Sequence, residues 1–262
     1  MRPQISGILY RGRRTAGPLL RGLTEAGHLA GWFETTSFEN GIVRIREPGV
    51  GPLDACNIWL IVGSKASLLI DTGIGVAPLA PLVSALSDRR LICLLTHSHY
   101  DHIGGAHEFP ERYIHAAEAD VLANPTPEAT LWRGWLTPQA FKSAPSPDFR
   151  FEDYGVKPAP HTGLIAGGEE IDLGDRVIEI IHTPGHSPGL VVAFERATAT
   201  LFTSDALYDG PMFFDLPRSD RQEGKRSIAR LAALKAERIH PGHFESFGAE
   251  RLNELARKEV GD

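Results

Sequence analysis

Apolar residues in this chain come in short runs cut off by glycine, proline or charged turns. The runs at 42–45, 57–62 and 67–70 are rich in Ile, Leu and Val and predict buried strands. Residues 91–95 give another, Ile114 ends one more, and 177–181, 200–202 and 238–239 extend the series. Between them lie segments with helical spacing. Residues 78–86 start near Pro78, and 116–123 predict a helix after the strand ending at Ile114. Ile228, Leu231 and Leu234 stripe one face of 225–235, and Leu252 and Leu255 do the same in 249–258. Strands interleaved with amphipathic helices predict a layered α/β fold.

Two stretches break this rhythm. Residues 1–40 are rich in glycine and arginine, carry weak periodicity, and read as an N-terminal arm or cap. Residues 41–262 then form a single domain. Within it, 124–163 holds seven prolines (Pro125, Pro127, Pro138, Pro145, Pro147, Pro158 and Pro160) together with Trp132 and Trp135. That is too long for a simple connection. It reads either as a lid or dimer-forming insertion, with a homodimer one arrangement it allows, or as a packed loop whose tryptophans belong to the core.

Bulk properties narrow the function classes. The chain has 262 residues, 42% of them hydrophobic, enough for a sizeable core. Its 27 basic and 33 acidic residues leave a net charge of −6, which gives no support for nucleic-acid binding. No apolar run approaches the length of a membrane span. The first twenty residues show no apolar core of a secretory signal. Cys56 and Cys93 adjoin apolar runs and read as reduced core residues, with a disulfide as the alternative. Together these features lead us to expect a cytoplasmic protein.

The chemistry concentrates in Thr96-His97-Ser98-His99-Tyr100-Asp101-His102, directly after the strand-like 91–95. Four metal-competent side chains this close together point to a metal site at a strand end rather than a polar turn. Imidazole suits zinc, and a carboxylate among imidazoles can serve a second ion. Iron and manganese accept the same donors in some degree. Three more donors follow strand-like runs and sit in turns: His186 in Thr183-Pro184-Gly185-His186, Asp205 in Thr203-Ser204-Asp205, and His243 in His240-Pro241-Gly242-His243. Each alone is an ordinary loop residue, but together and in this order they form a set of seven.

That set resembles the metallo-β-lactamase superfamily of binuclear hydrolases, from about residue 57 to residue 252. The resemblance implies an αββα sandwich: two mixed β-sheets flanked by helices. It implies that His97, His99 and His186 hold one zinc, that Asp101, His102 and His243 hold the other, and that Asp205 bridges them. Asp71, in Leu69-Ile70-Asp71-Thr72-Gly73, matches the family's aspartate beneath the metal histidines. A carboxylate there fixes a histidine tautomer. Two ions roughly 3.5–4 Å apart can share a hydroxide, and Asp101 is the candidate to orient it and carry its proton.

The substrate is read from weaker signals. Asp205 is absent from true class B lactamases, His99 is Glu in flavodiiron proteins, and the superfamily's nucleases carry large extra parts. Hydrolysis of small esters remains. The segments Asn57-Ile58-Trp59-Leu60, Asp205-Ala206-Leu207-Tyr208-Asp209-Gly210 and 241–252 resemble the acyl-coenzyme A thioesterase type within the superfamily. The implied activity is cleavage of an acyl thioester by a metal-bridging hydroxide. The alternatives are a lactonase of the acyl-homoserine-lactone type, a glyoxalase II-like glutathione thioester hydrolase, a lactamase-like hydrolase and a non-catalytic metal-bound scaffold. Tyr208 keeps the lactonase open, because lactonases of the superfamily carry a tyrosine at this spacing, where a phenol can donate to an oxyanion. Met212, Phe213 and Phe214 are candidates to line an acyl pocket. Arg218 and Arg221, with Lys225 and Arg226, are candidates to meet phosphates; a solvated helix start explains the same run of cations. His182 and His240 are candidates to buttress the ligands.

Overall fold

A computed structural model describes residues 31–261. The arm through residue 30 lies outside the described residues. Two sheets stack face to face. The first has seven strands in sequence order: β1 (Glu34–Ser37), β2 (Ile42–Arg46), β3 (Ile58–Val62), β4 (Ala66–Ile70), β5 (Arg90–Leu94), β6 (Arg112–His115) and β7 (Gly163–Ile165). β1 to β4 form an antiparallel meander, and β4 to β7 run parallel. The second sheet contains β8 (Glu170–Asp172), β9 (Val177–His182), β10 (Val191–Glu195), β11 (Thr200–Ser204), β12 (Arg238–Pro241) and β13 (Phe247–Gly248), in spatial order β13-β12-β11-β10-β9-β8. Only β11 and β12 pair in parallel in this sheet.

Strand alternation builds the layers. In β3, Trp59 and Ile61 face the second sheet and meet Ile178, Ile180, Val191 and Phe202, while Ile58 and Leu60 face outward. The outward face is covered by α1 (Ala80–Leu86), by the one-turn α2 (Tyr100–Ile103) and by α3 (Ala119–Ala123). On the far side, α4 (Arg221–Ala233) and α5 (Ala249–Val260) press Ile228, Leu231, Leu252 and Leu255 onto Leu201 and Ile239. Each such side chain contributes about 1.5–3 kcal/mol when fully buried. The result is the expected αββα sandwich.

Several boundaries differ from the sequence reading for local reasons. α4 starts at Arg221 because the Asp220 carboxylate caps it, accepting from the N–H groups of Gln222 and Glu223. Residues 116–118 form a 3-10 turn before α3, with the His115 ring capping the turn. Residues 34–37, assigned to the arm, pair with β2 as an edge strand. Residues 124–163 cross from α3 to β7 with only two 3-10 turns. Part of this stretch is core: Leu136, Tyr154, Val156 and Ala159 are buried against the first sheet, with Trp132 packed on them. Trp135 instead is 44% exposed. Cys56 and Cys93 are buried free thiols.

Candidate metal centre and cleft

The donors sit where strands of both sheets end along one edge of the sandwich. His97 and His99 follow β5, His186 follows β9, Asp205 follows β11, and His243 follows β12. Asp71 follows β4 with φ +62, a left-handed turn that aims its carboxylate under the β5 loop. α2 rests on that turn: Thr72 N–H donates to His102 O at 2.8 Å and Gly104 N–H to Gly73 O at 2.9 Å. A Cβ on Gly75 would stand 2.2 Å from Gly104 O, so only glycine allows this backbone contact.

The structure brings all seven donors together, each 9% exposed or less. His97 Nε2 and His186 Nε2 each lie 3.0 Å from His99 Nδ1. His102 Nε2 lies 3.3 Å from Asp101 Oδ2 and from Asp205 Oδ1. His243 Nε2 is 3.3 Å from Asp101 Oδ2 and from Asp205 Oδ2, and the latter oxygen is 3.4 Å from His186 Nε2. His97, His99 and His186 form one cluster, Asp101, His102 and His243 another, and Asp205 reaches both.

The outer ring nitrogens decide what the inner ones can be. His186 Nδ1 donates to Phe213 O at 3.0 Å, and His243 Nδ1 donates to Pro52 O at 3.1 Å. His102 Nδ1 donates to Asp71 Oδ2 at 2.8 Å, while Thr96 N–H and Oγ1–H hold the same carboxylate. A carbonyl only accepts, so the His186 ring, neutral at neutral pH, turns a lone pair inward, and His243 does the same once a metal ion displaces its inner proton. Those nitrogens face carboxylate oxygens, which is repulsive unless a cation, a proton or a metal ion, lies between. His102 Nε2 and Asp205 Oδ1 are buried with no hydrogen-bond partner. Such groups are costly to bury unless something satisfies them.

Electrostatics point the same way. Burial holds His97 and His186 below the usual imidazole range and His99 at about 3, so this cluster offers neutral donors. Burial also acts to lower His243, but the Asp205 and Asp101 carboxylates outweigh it and raise the ring to about 10. His102 is pushed well above its ordinary value by the same contest between burial and carboxylates. Two buried carboxylates thus demand positive charge at the spot where the donor atoms converge. The donor set fits a divalent metal ion.

A tight cleft of about 40 Å³ opens onto these donors. Its other walls are Leu53, Tyr100, Leu131, Trp135, Phe213 and Leu216. The Trp135 and Phe213 rings meet edge to face, 5.3 Å between centroids. Leu53 and Trp135 are two of the four exposed large hydrophobic residues among the described residues, and both border this cleft. A wider groove of about 390 Å³ between α4 and α5 has none of the clustered donors.

Of the residues proposed for the pocket, Phe213 lines it. Met212 packs against the α4 layer, and Phe214 is 4% exposed, its ring filling the space left by Gly224. Arg218 donates to Ala117 O and faces buried Glu118 at 3.6 Å; Arg221 pairs with Asp215 at 2.6 Å. These two guanidiniums are thus already engaged within the chain. The Tyr208 ring borders the cleft and lies 5.3 Å from the His243 ring, but its hydroxyl donates to Pro211 O at 2.7 Å. His240 is buried against Trp59 and donates to or accepts from Ser246 Oγ. His182 stacks on His115 outside the cluster. Sequence reasoning missed Glu118, whose carboxylate binds Ser98 Oγ, between two of the histidines, and Gly189 N–H. It also missed Leu53, Leu131 and Leu216, which carry no local signal.

The model of the metallo-beta-lactamase superfamily matches residues 51–243. The acyl-coenzyme A thioesterase MBLAC2 of Gallus gallus is 36% identical over 243 residues, and that of Homo sapiens 34% over 245, each alignment covering 87% of both chains. The di-iron-bound form of TTHA1623 superposes with a TM-score of 0.56, at 26% identity over 79% of this chain and 96% of that one. With the ligand clusters, the fold and these likenesses in agreement, the chain belongs to the metallo-β-lactamase superfamily.

Proposed function

We propose that this protein hydrolyses acyl thioesters of the acyl-coenzyme A kind, using two zinc ions. The observation that carries the reading is the pairing of two donor clusters through Asp205 at the floor of an apolar-walled cleft. His97, His99 and His186 would hold one ion, Asp101, His102 and His243 the other, with Asp205 shared. The names of relatives that align over 87% of this chain support the thioester.

Bound zinc would supply a Lewis acid for the thioester carbonyl and a hydroxide nucleophile at neutral pH. The chain's own residues do the rest. Asp101 borders the cleft and is positioned to orient the attacking water and take up its proton. Leu53, Trp135 and Phe213 exclude bulk water and offer apolar contact to the acyl group. The leaving thiolate has a conjugate acid of pKa about 8.5 and departs without full protonation. No strong acid is needed beside the sulfur, in keeping with a Tyr208 hydroxyl already bonded to Pro211.

The test is a hydrolysis panel of short and long acyl-coenzyme A, lactoylglutathione, homoserine lactones and a chromogenic β-lactam, with metal quantified on the same sample. Turnover of acyl-coenzyme A with about two ions per chain is expected. Lactone turnover without any thioesterase activity would replace the reading with a lactonase. Metal without hydrolysis of any substrate would leave the scaffold.

A further inference from the structure

The turn that carries His243 is gripped by residues from the opposite sheet. Pro241, Gly242 and Phe244 surround His243, and all three of their carbonyls are captured. Asn57 N–H donates to Gly242 O at 2.6 Å, and its Nδ2 donates to Pro241 O at 3.0 Å and Phe244 O at 2.9 Å. Arg46 Nη2 donates to Phe244 O at 2.6 Å, and its Nε to Asn57 Oδ1 at 2.8 Å, which fixes the way the amide faces. Arg46 and Arg44 then close on the two Glu245 oxygens at 2.7 and 2.8 Å. Asn57 is 3% exposed and stands immediately before β3.

This turn cannot hold its shape unaided. Phe244 has φ +62, a conformation that an L side chain adopts only when its surroundings impose it. A Cβ on Gly242 would lie 2.4 Å from Asp205 Oδ1, so the turn runs hard against the shared carboxylate. His97, His186 and His102 are oriented by Thr96, Phe213 and Asp71, none of which touches this clamp.

We infer that Asn57, its amide oriented by Arg46, is a positioning residue for His243 and through it for one metal position, that of Asp101, His102 and His243. The inference rests on the two-ion reading above. A loss confined to one ion is its signature, because a general weakening of the fold would release both.

The full-length zinc-loaded protein is challenged with graded EDTA, and retained ions are counted by native mass spectrometry. Asn57→Ala should lose one ion at roughly 10–100-fold lower chelator concentration than wild type, the usual cost of removing a ligand's support. The other ion should leave at the wild-type concentration. The one-ion species should match that of His243→Ala. Equal shifts of both ions, or no shift, overturn the inference. Should Asn57→Ala fail to fold, Arg46→Met provides the same test, since that side chain is partly exposed and its loss frees the amide; selective release of one ion is again expected. A wild-type protein that binds fewer than two ions overturns the two-ion reading itself, and that result is visible before any variant is measured.

Discussion

Asp71 Oδ2 lies 2.8 Å from His102 Nδ1, while the opposite nitrogen of the same ring is buried without a hydrogen-bond partner. The carboxylate therefore holds one ring proton on Nδ1, so that Nε2 presents its lone pair beside Asp101 and Asp205 once a metal ion displaces the other proton. Asp71→Ala removes this support and also frees Thr96, whose N–H and hydroxyl both bind the same carboxylate. Zinc affinity should fall by roughly 10–100-fold, as supporting carboxylates generally cost when removed. Competition against a chromophoric chelator measures it, and an unchanged affinity would show that His102 is oriented by something else.

Much of this centre is legible in the sequence because its donors sit at fixed short spacing beside an apolar strand, as in 96–102. Asp71, His186, Asp205 and His243 each follow a strand into a turn, a pattern that survives without coordinates. What the sequence hides is pairing at a distance. Arg218 reads as a free cation until Glu118, buried and a hundred residues away in the chain, is seen facing it. Leu53 and Trp135 line one cleft only because two separate loops converge there. β1 escaped notice because Glu34-Thr35-Thr36-Ser37 is a polar edge strand with no apolar run to announce it.

Tyr208 separates thioesterase from lactonase chemistry. Its hydroxyl is committed to Pro211 O at 2.7 Å. Tyr208→Phe should leave kcat/KM for an acyl-coenzyme A within about threefold of wild type, a change below 1 kcal/mol in the barrier. Stability should drop by about 1 kcal/mol from the lost hydrogen bond. A hundredfold fall in kcat with KM unchanged would instead mark the phenol as an oxyanion donor.

Trp135 should govern acyl length. It stands half exposed against Phe213 at a cleft with only about 40 Å³ free. An acyl group of several carbons enters only as this indole gives way. Trp135→Ala should raise the ratio of kcat/KM for long over short acyl-coenzyme A by about tenfold, the scale at which apolar pockets discriminate by size. Steady-state kinetics on a chain-length series reads this directly, and an unchanged ratio would place the acyl group elsewhere.

Glu47 makes the stability of the fold depend on pH. Its carboxyl is buried, accepting from Trp32 Nε1–H and Ile74 N–H at 2.9 Å each. Burial raises its pKa from 4.5 to about 7, against the pull of those two hydrogen bonds, with the Asp101 charge adding to the rise. Below pH 4.5 both folded and unfolded chains hold the proton, and Glu47 adds no slope. Between 4.5 and 7 the folded chain keeps a proton that the unfolded chain has lost, so stability falls as pH rises. Above 7 both are ionised and the loss is complete, at about 3 kcal/mol. Glu47→Gln cannot ionise. Its unfolding free energy relative to wild type, from guanidinium titrations at matched metal content, should therefore improve by about this amount between pH 4.5 and pH 8. Positive charge held at Asp101 opposes the rise, so the trend should be larger in chelator-treated protein than in zinc-loaded protein. A pH-independent difference would mean that Glu47 is ionised in the folded chain throughout this range, its charge carried by the Trp32 and Ile74 donors alone.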